Sequence, residues 1–403
     1  MSNQHCATKG IPMSTRRQLW SDLAEERSRC PVTRHEDVNA VRVTSYAGVK
    51  EMLRDFRSFS NRFGTVEPGQ ELPVESQVLA FADPPRHSRQ RKLLTAALSA
   101  SRVEHLHEAM QQTVDGLIDA IIATGSPDFE LLSALAGPFP ALMTAELMGV
   151  PHELRERFVY YSHLSELSTA MPGVYDAELA QWSEMIEELV RQRRAVGPGA
   201  SDDLIATMCF AETDGQRFSD REVAQMVQLV NSAGNTTTTT LISNIVYALD
   251  EFPEQKKLFL SDIDGLVDSV IEEGLRYDGP IQGLGRLSQC PVQVQGYDIA
   301  EGERVFGSYA AASHDPEVYE RPDEFVAGRD WRKLPPHMGF GYGIHHCIGA
   351  NLARLEARVA LTTLYKRLPG LGVQPGFTPE AVPGWTFRGW MGMMLRYETK
   401  EQS

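Results

Sequence analysis

Residues 340–349 read Phe-Gly-Tyr-Gly-Ile-His-His-Cys-Ile-Gly, which places one cysteine, Cys347, among closely spaced glycines. Glycine lets a backbone turn tightly and approach a flat ligand closely, where side chains would block it. A helix is predicted just beyond the cysteine, and a helix N-terminus lowers the cost of a negative charge there. The pattern therefore favours a thiolate on a stiff loop, which is what an axial haem ligand requires.

Two other interpretations of Cys347 compete with a haem ligand. A lone cysteine is more often a small buried hydrophobic side chain than a ligand. His345, His346 and Cys347 together also suggest zinc, although zinc usually takes four ligands and no second Cys/His pair follows at ligand spacing. By itself the ten-residue run favours haem only modestly.

Two helices are predicted to position this chemistry. After the cysteine, apolar residues recur at helical spacing until Leu368-Pro369-Gly370 ends the pattern. A second helix is predicted over 219–252, because Ser219 and Glu222 form a capping box and Pro253 stands just past the end. Its apolar residues cover nearly all faces, so it is expected to cross the core.

The middle of that second helix is unusual, since Gly234 and Asn235 precede five threonines, Thr236 to Thr240. These residues have poor helix propensity. Threonine hydroxyls can bond to the carbonyl one turn back and bend a helix, which frees a carbonyl for water or ligand. The run is predicted either to mark a functional site or to be a buried stretch whose threonines satisfy one another.

Two charged motifs lie on further predicted helices. Glu273 and Arg276 are three residues apart and therefore adjacent on a helix, where such a pair is usually a surface ion pair worth little. His87 and Arg91 are one turn apart on a helix expected to be capped by Asp83, and a solvated basic face is the default interpretation. The alternative for His87 and Arg91 is binding of carboxylates, such as haem propionates.

Composition narrows the class of protein. The chain has 403 residues, no linker-like stretch and no run of 18 apolar residues, so neither a membrane anchor nor a signal peptide is predicted. Five scattered cysteines favour a reducing cytoplasm, and the net charge of -15 argues against nucleic acid as a partner. Most segments are predicted to be helical, with short strands near 292–295 and 303–306.

The motifs together resemble the cytochrome P-450 family, the haem-thiolate monooxygenases, from Asp83 to about Phe387. Residues 340–349 match its haem-binding signature Phe-Gly-x-Gly-x-His-x-Cys-x-Gly at every fixed position. The runs 233–237, 273–276, 325–329 and 83–91 match four further motifs of the family in the expected order.

The resemblance implies a role for each matched residue. Cys347 is the axial ligand of haem b, Gly349 belongs to the same signature, and Thr237 takes the place of the threonine that helps protonate iron-bound oxygen. Thr236 stands where the family has Asp or Glu, so the usual proton relay lacks its acid. The remaining roles are propionate contacts for His87, Arg91, Arg286 and His345, and a structural cluster of Glu273, Arg276 and Arg329.

By the same resemblance, apolar residues from several segments line a substrate pocket. They include Val230, Ala233, Gly234, Ile281, Leu284 and Phe387, together with the 62–80 loop, residues near 165–180 and Trp385. This lining suggests a lipophilic small molecule such as a terpenoid or steroid.

The expected fold is the mainly α cytochrome P-450 fold with a small β region, as a single domain over 1–403 in which residues 1–30 are a candidate flexible segment. The expected function is hydroxylation of a C–H bond with O2, in a bacterial enzyme served by ferredoxin and an NAD(P)H-dependent ferredoxin reductase. Arg89, Lys92, Arg354 and Arg358 are candidates for the ferredoxin-docking face. Two alternatives remain: a peroxide-using or rearranging enzyme of the same fold, and a haem-binding sensor without turnover.

Overall fold

A computed structural model describes residues 11–12, 14–36, 39–62, 77–98, 100–170, 174–382 and 386–399. Fourteen α-helices lie in these residues and dominate the fold. They are α1 (Ser14–Arg29), α2 (Tyr46–Arg54), α3 (Arg86–Ala97), α4 (Ala100–His105), α5 (His107–Ala123), α6 (Pro138–Leu147), α7 (Arg155–Ala170), α8 (Asp176–Val196), α9 (Leu204–Phe210), α10 (Asp220–Glu251), α11 (Pro253–Ser261), α12 (Ile263–Asp278), α13 (Tyr309–Ser313) and α14 (Ala350–Arg367).

The strands of the described residues are short. They are β1 (Ile11–Pro12), β2 (Val32–His35), β3 (Ala40–Val43), β4 (Phe59–Ser60), β5 (Asp128–Glu130), β6 (Glu212–Thr213), β7 (Gln216–Arg217), β8 (Gly283–Ser288), β9 (Val292–Val294), β10 (Tyr297–Ile299), β11 (Arg304–Ser308), β12 (Gly372–Val373), β13 (Glu380–Ala381) and β14 (Met394–Arg396). The prediction of a mostly helical fold with a minor sheet component is confirmed.

The largest sheet has the strand order β2-β3-β11-β8-β4. Its strands pair antiparallel except for β3 and β11, which run parallel with Val41 opposite Val305. One face of this sheet packs on α2, with Val41, Val49, Met52 and Val305 fully buried between them. The sheet matters for the site because β8 carries Arg286 and Leu284.

Helix α10 is the central element, as its sequence predicts. The side chain of Ser219 accepts a hydrogen bond from the Glu222 N–H, and the Glu222 carboxylate accepts one from the Ser219 N–H, so the predicted capping box is formed. The helix continues through the five threonines, and Pro253 then starts α11. Residues of α10 belong to two large apolar clusters, one with α5, α12 and α14 and the other with α3, α8 and α9.

One local prediction is wrong. Asp83 does not cap α3; that helix begins after Pro85, with no side-chain cap. Instead, the Asp83 carboxylate accepts hydrogen bonds from the Asn61 N–H at 2.9 Å and from the Ser60 hydroxyl. A contact with a distant segment has therefore outweighed the local capping preference. Among the described residues, no helix combines the length and apolar character needed to cross a membrane.

Candidate functional site

The loop that carries Cys347 is held in shape by its backbone. The Cys347 N–H donates to the Phe340 carbonyl over 2.9 Å, which closes the loop at its ends. Gly341 and Gly343 have φ angles of 69° and 73°, a region that side chains disfavour. A β-carbon on Gly343 would lie 2.4 Å from the Leu53 carbonyl oxygen, so this position also lacks space for a side chain.

Cys347 is exposed to solvent, although many protein atoms lie around it. This enclosure raises the pKa of the Cys347 thiol, and the opposing effects of the Gly349 N–H, Arg91 and Arg354 do not outweigh it. Desolvation therefore opposes the effect expected from the helix N-terminus, which lowers the cost of a negative charge on Cys347. A metal cation bound to the sulfur would favour the thiolate, because coordination displaces the thiol proton to solvent.

Nitrogen donors from three elements gather beside this loop. His87 of α3 and His345 of the loop lie with ring centroids 4.1 Å apart. Arg91, one turn after His87, donates to the His346 carbonyl at 2.6 Å. The charge of Arg286 from β8 acts on His345, and burial is the main cause that lowers the pKa of His345 to about 2. The structure thus brings together the four predicted propionate contacts.

His87 is buried, yet neither ring nitrogen has a hydrogen-bond partner among the described residues. Burial, with a smaller contribution from Arg91, lowers the pKa of His87 to about 4, so the ring is neutral at pH 7. A buried polar group normally finds a partner, because leaving it without one costs about 1–3 kcal/mol. A carboxylate group of a bound molecule would accept from His87 and the neighbouring guanidinium groups. The donors present therefore fit haem propionates.

Helix α10 contributes a partly open face. Ala233 is exposed, while Val230, Gly234, Thr236 and Thr237 are half-buried. The Thr237 hydroxyl donates to the Ala233 carbonyl at 2.6 Å, which is the back-bonding expected for a helical threonine. Both lone pairs of the Thr237 hydroxyl oxygen remain able to accept hydrogen bonds.

Two more segments contribute apolar side chains that are not buried. Leu284 and Phe387 are 39% and 41% exposed, respectively, unusual for such large apolar groups. Ile281 and Phe387 form an antiparallel bridge, which places two of the predicted pocket residues side by side. Trp385 and residues 63–76 of the predicted lining lie outside the described residues, as do 171–173.

The predicted structural cluster forms in the interior. Glu273 is fully buried and accepts paired hydrogen bonds from Arg276 at 2.8 and 2.9 Å and from Arg329 at 2.8 and 3.2 Å. The Val326 N–H adds a further donor at 2.8 Å. The interpretation of Glu273 and Arg276 as an ordinary surface ion pair is therefore wrong, since the charges are buried and fully hydrogen-bonded.

Sequence reasoning did not identify two buried polar groups beside α10. Glu356 of α14 is buried and hydrogen-bonded by Thr238, and burial raises its pKa to about 8. Its position between Leu352 and Val359, on the apolar face of the helix, was a usable signal. Ser162 of α7 hydrogen-bonds to two residues of α10, and no local pattern marks it.

Known proteins are similar to this chain in sequence and fold. The chain matches the family model for cytochrome P450 over residues 143–369. It is 37% identical over 345 residues to the cytochrome P450 monooxygenase PikC of Streptomyces venezuelae, covering 83% of this chain and 80% of that protein. The chain belongs to the cytochrome P450 family.

Other members of the family are similar over nearly the whole length. Pentalenic acid synthase of Streptomyces avermitilis is 32% identical over 386 residues, which cover 94% of this chain and 93% of that protein. The crystal structure of CYP109E1 from Bacillus megaterium in complex with testosterone superposes with a TM-score of 0.83 at 28% identity, covering 94% of this chain and 99% of that one. The chain is thus a P450 monooxygenase of bacterial type, in a family of haem-thiolate enzymes.

Proposed function

We propose that this P450 inserts one oxygen atom of O2 into a C–H bond of a lipophilic small molecule, with Cys347 as the axial ligand of haem b. The observation that carries the proposal is the pairing of the accessible Cys347 side chain with the adjacent donor cluster. Cys347 supplies the metal ligand, and His87, Arg91, Arg286 and His345 supply donors for the two carboxylates of the same cofactor.

The bound haem would supply the binding and activation of O2. The protein must then hold the cofactor, exclude water and deliver protons. Thr237 is the residue we assign to the oxygen side, because it lies on the open face of α10. The Thr237 hydroxyl donates its proton to the Ala233 carbonyl. Its oxygen can therefore accept a hydrogen bond from water or from a reacting group. If the Thr237 hydroxyl broke its hydrogen bond to the Ala233 carbonyl, it could donate its proton to a group on the oxygen side.

Thr236 carries no carboxylate, and a hydroxyl is a far weaker acid than Asp or Glu. Proton delivery at this helix therefore relies on hydroxyl groups and water. This observation favours a second candidate function, a peroxide-dependent P450, which needs no reduction of O2. Turnover with hydrogen peroxide would distinguish it, provided that the rate exceeds the rate with NAD(P)H, ferredoxin and reductase.

The substrate class rests on the open apolar side chains and on relatives. Val230 and Ala233 on α10 and Ile281, Leu284 and Phe387 from the other segments are all apolar, and none of them is buried. Apolar pocket linings favour lipophilic ligands. The neighbour solved with testosterone supports a steroid-sized molecule as the first compound to try. A terpenoid of similar size is an equally suitable compound to try.

Ferredoxin and an NAD(P)H-dependent reductase are the proposed electron source. The four candidate docking cations are less available than the sequence suggested, because each has an acidic partner. Arg89 pairs with Glu222, Lys92 with Asp214, Arg354 with Glu272 and Arg358 with Asp268. The Lys92 pair is the most exposed, with nitrogen and oxygen 3.6 Å apart, so Lys92 is the cation most easily transferred to a partner.

We further propose that residues 1–403 form one domain and that the enzyme acts in the cytoplasm. The participation of α10 in both large apolar clusters supports a single domain, because neither cluster is complete without that helix. The five cysteines are scattered along the sequence without the spacing of a disulfide framework, which supports a location in the reducing cytoplasm.

The decisive test is Cys347→Ser. The reduced carbon-monoxide complex of the wild-type protein should show the red-shifted Soret band that thiolate ligation produces, and the variant should lack it. Cys30→Ser and Cys290→Ser are matched controls, since both cysteines are also free and exposed. Retention of the band in Cys347→Ser would refute the ligand assignment. Binding of testosterone, followed as a shift of the ferric Soret band, then tests the substrate class.

A further inference from the structure

The stretch of α10 from Gly234 to Thr240 is the weakest part of the central helix. Gly234 has no side chain, and β-branched threonines lose rotamer freedom in a helix. The Thr237 hydroxyl also shares the Ala233 carbonyl with the helical hydrogen bond, which loosens this turn further. A helix of this composition depends on its surroundings to hold one conformation.

Three neighbouring elements hold this stretch through side-chain hydrogen bonds. Thr239 donates to the Ala136 carbonyl at 2.8 Å, just before α6. Thr238 is bonded to Glu356 of α14. The third contact comes from Ser162 of α7.

Ser162 makes two hydrogen bonds to residues one helical turn apart. Its hydroxyl donates to Oδ1 of Asn231 at 3.1 Å and accepts from Nδ2 of Asn235 at 2.9 Å. All three residues are at most 4% exposed. Because the Ser162 hydroxyl acts as donor and acceptor at once, it fixes both amides in one orientation. We define Ser162, Asn231 and Asn235 as the α7–α10 clasp.

The clasp sets how α10 is rotated about its own axis. Successive residues of a helix point about 100° apart, so Asn235 and Thr237 lie about 200° apart, on nearly opposite sides. Holding Asn235 against α7 therefore turns Thr237 towards the open face with Val230 and Ala233. Apolar packing at this contact would tolerate small rotations, whereas two directional hydrogen bonds do not.

We propose that Ser162 is a positioning residue for Thr237, acting through Asn231 and Asn235. The inference rests on the proposed function, because it assigns Ser162 a role in the placement of the hydroxyl that faces the oxygen site. The hydrogen bond between Ser183 of α8 and Gln228 of α10 lies outside the threonine stretch, and it is not expected to act in the same way.

The test compares Ser162→Ala with Ser183→Ala in the haem-loaded protein. Ser183 of α8 accepts a hydrogen bond from Gln228 of α10 at 2.8 Å, so its variant also removes a side-chain contact with α10, outside the clasp. Amide hydrogen exchange over residues 231–238 should accelerate roughly tenfold in Ser162→Ala, as expected when the hydrogen bonds of a buried hydroxyl are lost. It should change little in Ser183→Ala.

A second measurement reports on Thr237 itself. The C–O stretching band of the reduced carbon-monoxide complex responds to polar groups on the distal side, so it should broaden or shift in Ser162→Ala and keep the wild-type position in Ser183→Ala. Ser162→Cys, of similar volume but a weak hydrogen-bonding group, should behave like alanine, and Ser162→Thr should restore the wild-type band.

The outcomes separate the two hypotheses. If the wild-type complex lacks the red-shifted Soret band, the haem-thiolate assignment fails, and exchange over 231–238 still tests the clasp. If that band is present but Ser162→Ala and Ser183→Ala give equal exchange and the same C–O band, Ser162 only fills space and the positioning role is refuted.

Discussion

Glu356→Gln should make the protein more stable at neutral pH, although it removes a charged residue type. The Glu356 side chain is buried, and burial raises the pKa of its carboxyl from 4.5 to about 8, with the Thr238 hydrogen bond opposing the rise. The group is therefore mainly protonated in the folded protein at pH 7 and ionised in the unfolded chain. Folding at this pH must take up a proton, which costs free energy.

The direction and size of the change in stability follow from the difference between the pKa values of Glu356 in the folded and unfolded protein. Because the folded pKa of Glu356 is the higher one, its contribution to the free energy of unfolding is greatest below pH 4.5, falls as the pH rises towards 8 and is level above. The full interval corresponds to about 5 kcal/mol, and the cost reached at pH 7 is about 3 kcal/mol, falling to about 1 kcal/mol at pH 5. Glutamine bears no such cost, and its carbonyl can still accept from Thr238.

The assay is urea denaturation of wild type and Glu356→Gln between pH 5 and pH 8, followed by tryptophan fluorescence. The difference in free energy of unfolding should grow by about 2 kcal/mol in favour of glutamine from pH 5 to pH 7. Glu301→Gln is the control, because the exposed Glu301 stays in water in both states and should give no such slope. A difference between wild type and Glu356→Gln that is independent of pH would refute the protonated buried acid.

Four further substitutions test the buried ion-pair cluster, the threonines of α10 and the cysteine loop. Glu273→Ala should destabilise the protein by about 3–5 kcal/mol and reduce recovery of haem-loaded protein, because two buried guanidinium groups lose their carboxylate. Thr237→Ala should raise hydrogen peroxide formed per NAD(P)H several-fold while testosterone binding is kept; an unchanged peroxide yield would eliminate the relay. Thr236→Asp should alter the same yield and leave the red-shifted Soret band in place. Gly343→Ala should weaken haem retention, since φ is 73° and the added carbon meets a carbonyl, whereas Gly116→Ala in the open middle of α5 should not.

Features with local determinants were predictable from the sequence. The capping box at Ser219 and the end of α14 depend on residues within a few positions of one another. The glycines around Cys347 likewise determine the shape of their own loop, and the family motifs extended the prediction to the fold. The roles of Cys347 and Thr237 stay predictions.

The tertiary structure decided what depends on distant partners. The Asp83 carboxylate accepts hydrogen bonds from residues 60–61 instead of capping α3, and burial of Cys347 opposes the effect expected from its helix N-terminus. Ser162 lies 69 and 73 residues from its partners, so no window of sequence shows the clasp.

The physical reason is the range of the forces involved. Backbone propensity, capping and glycine geometry act over one or two turns and can be read along the chain. Desolvation and the pairing of buried polar groups depend on which segments the packed core brings together. The sequence alone therefore determined the central helix, the cysteine loop and the family. Only the packed structure decided the pKa of Glu356, the ion pairs of the docking cations and the direction in which α10 presents Thr237.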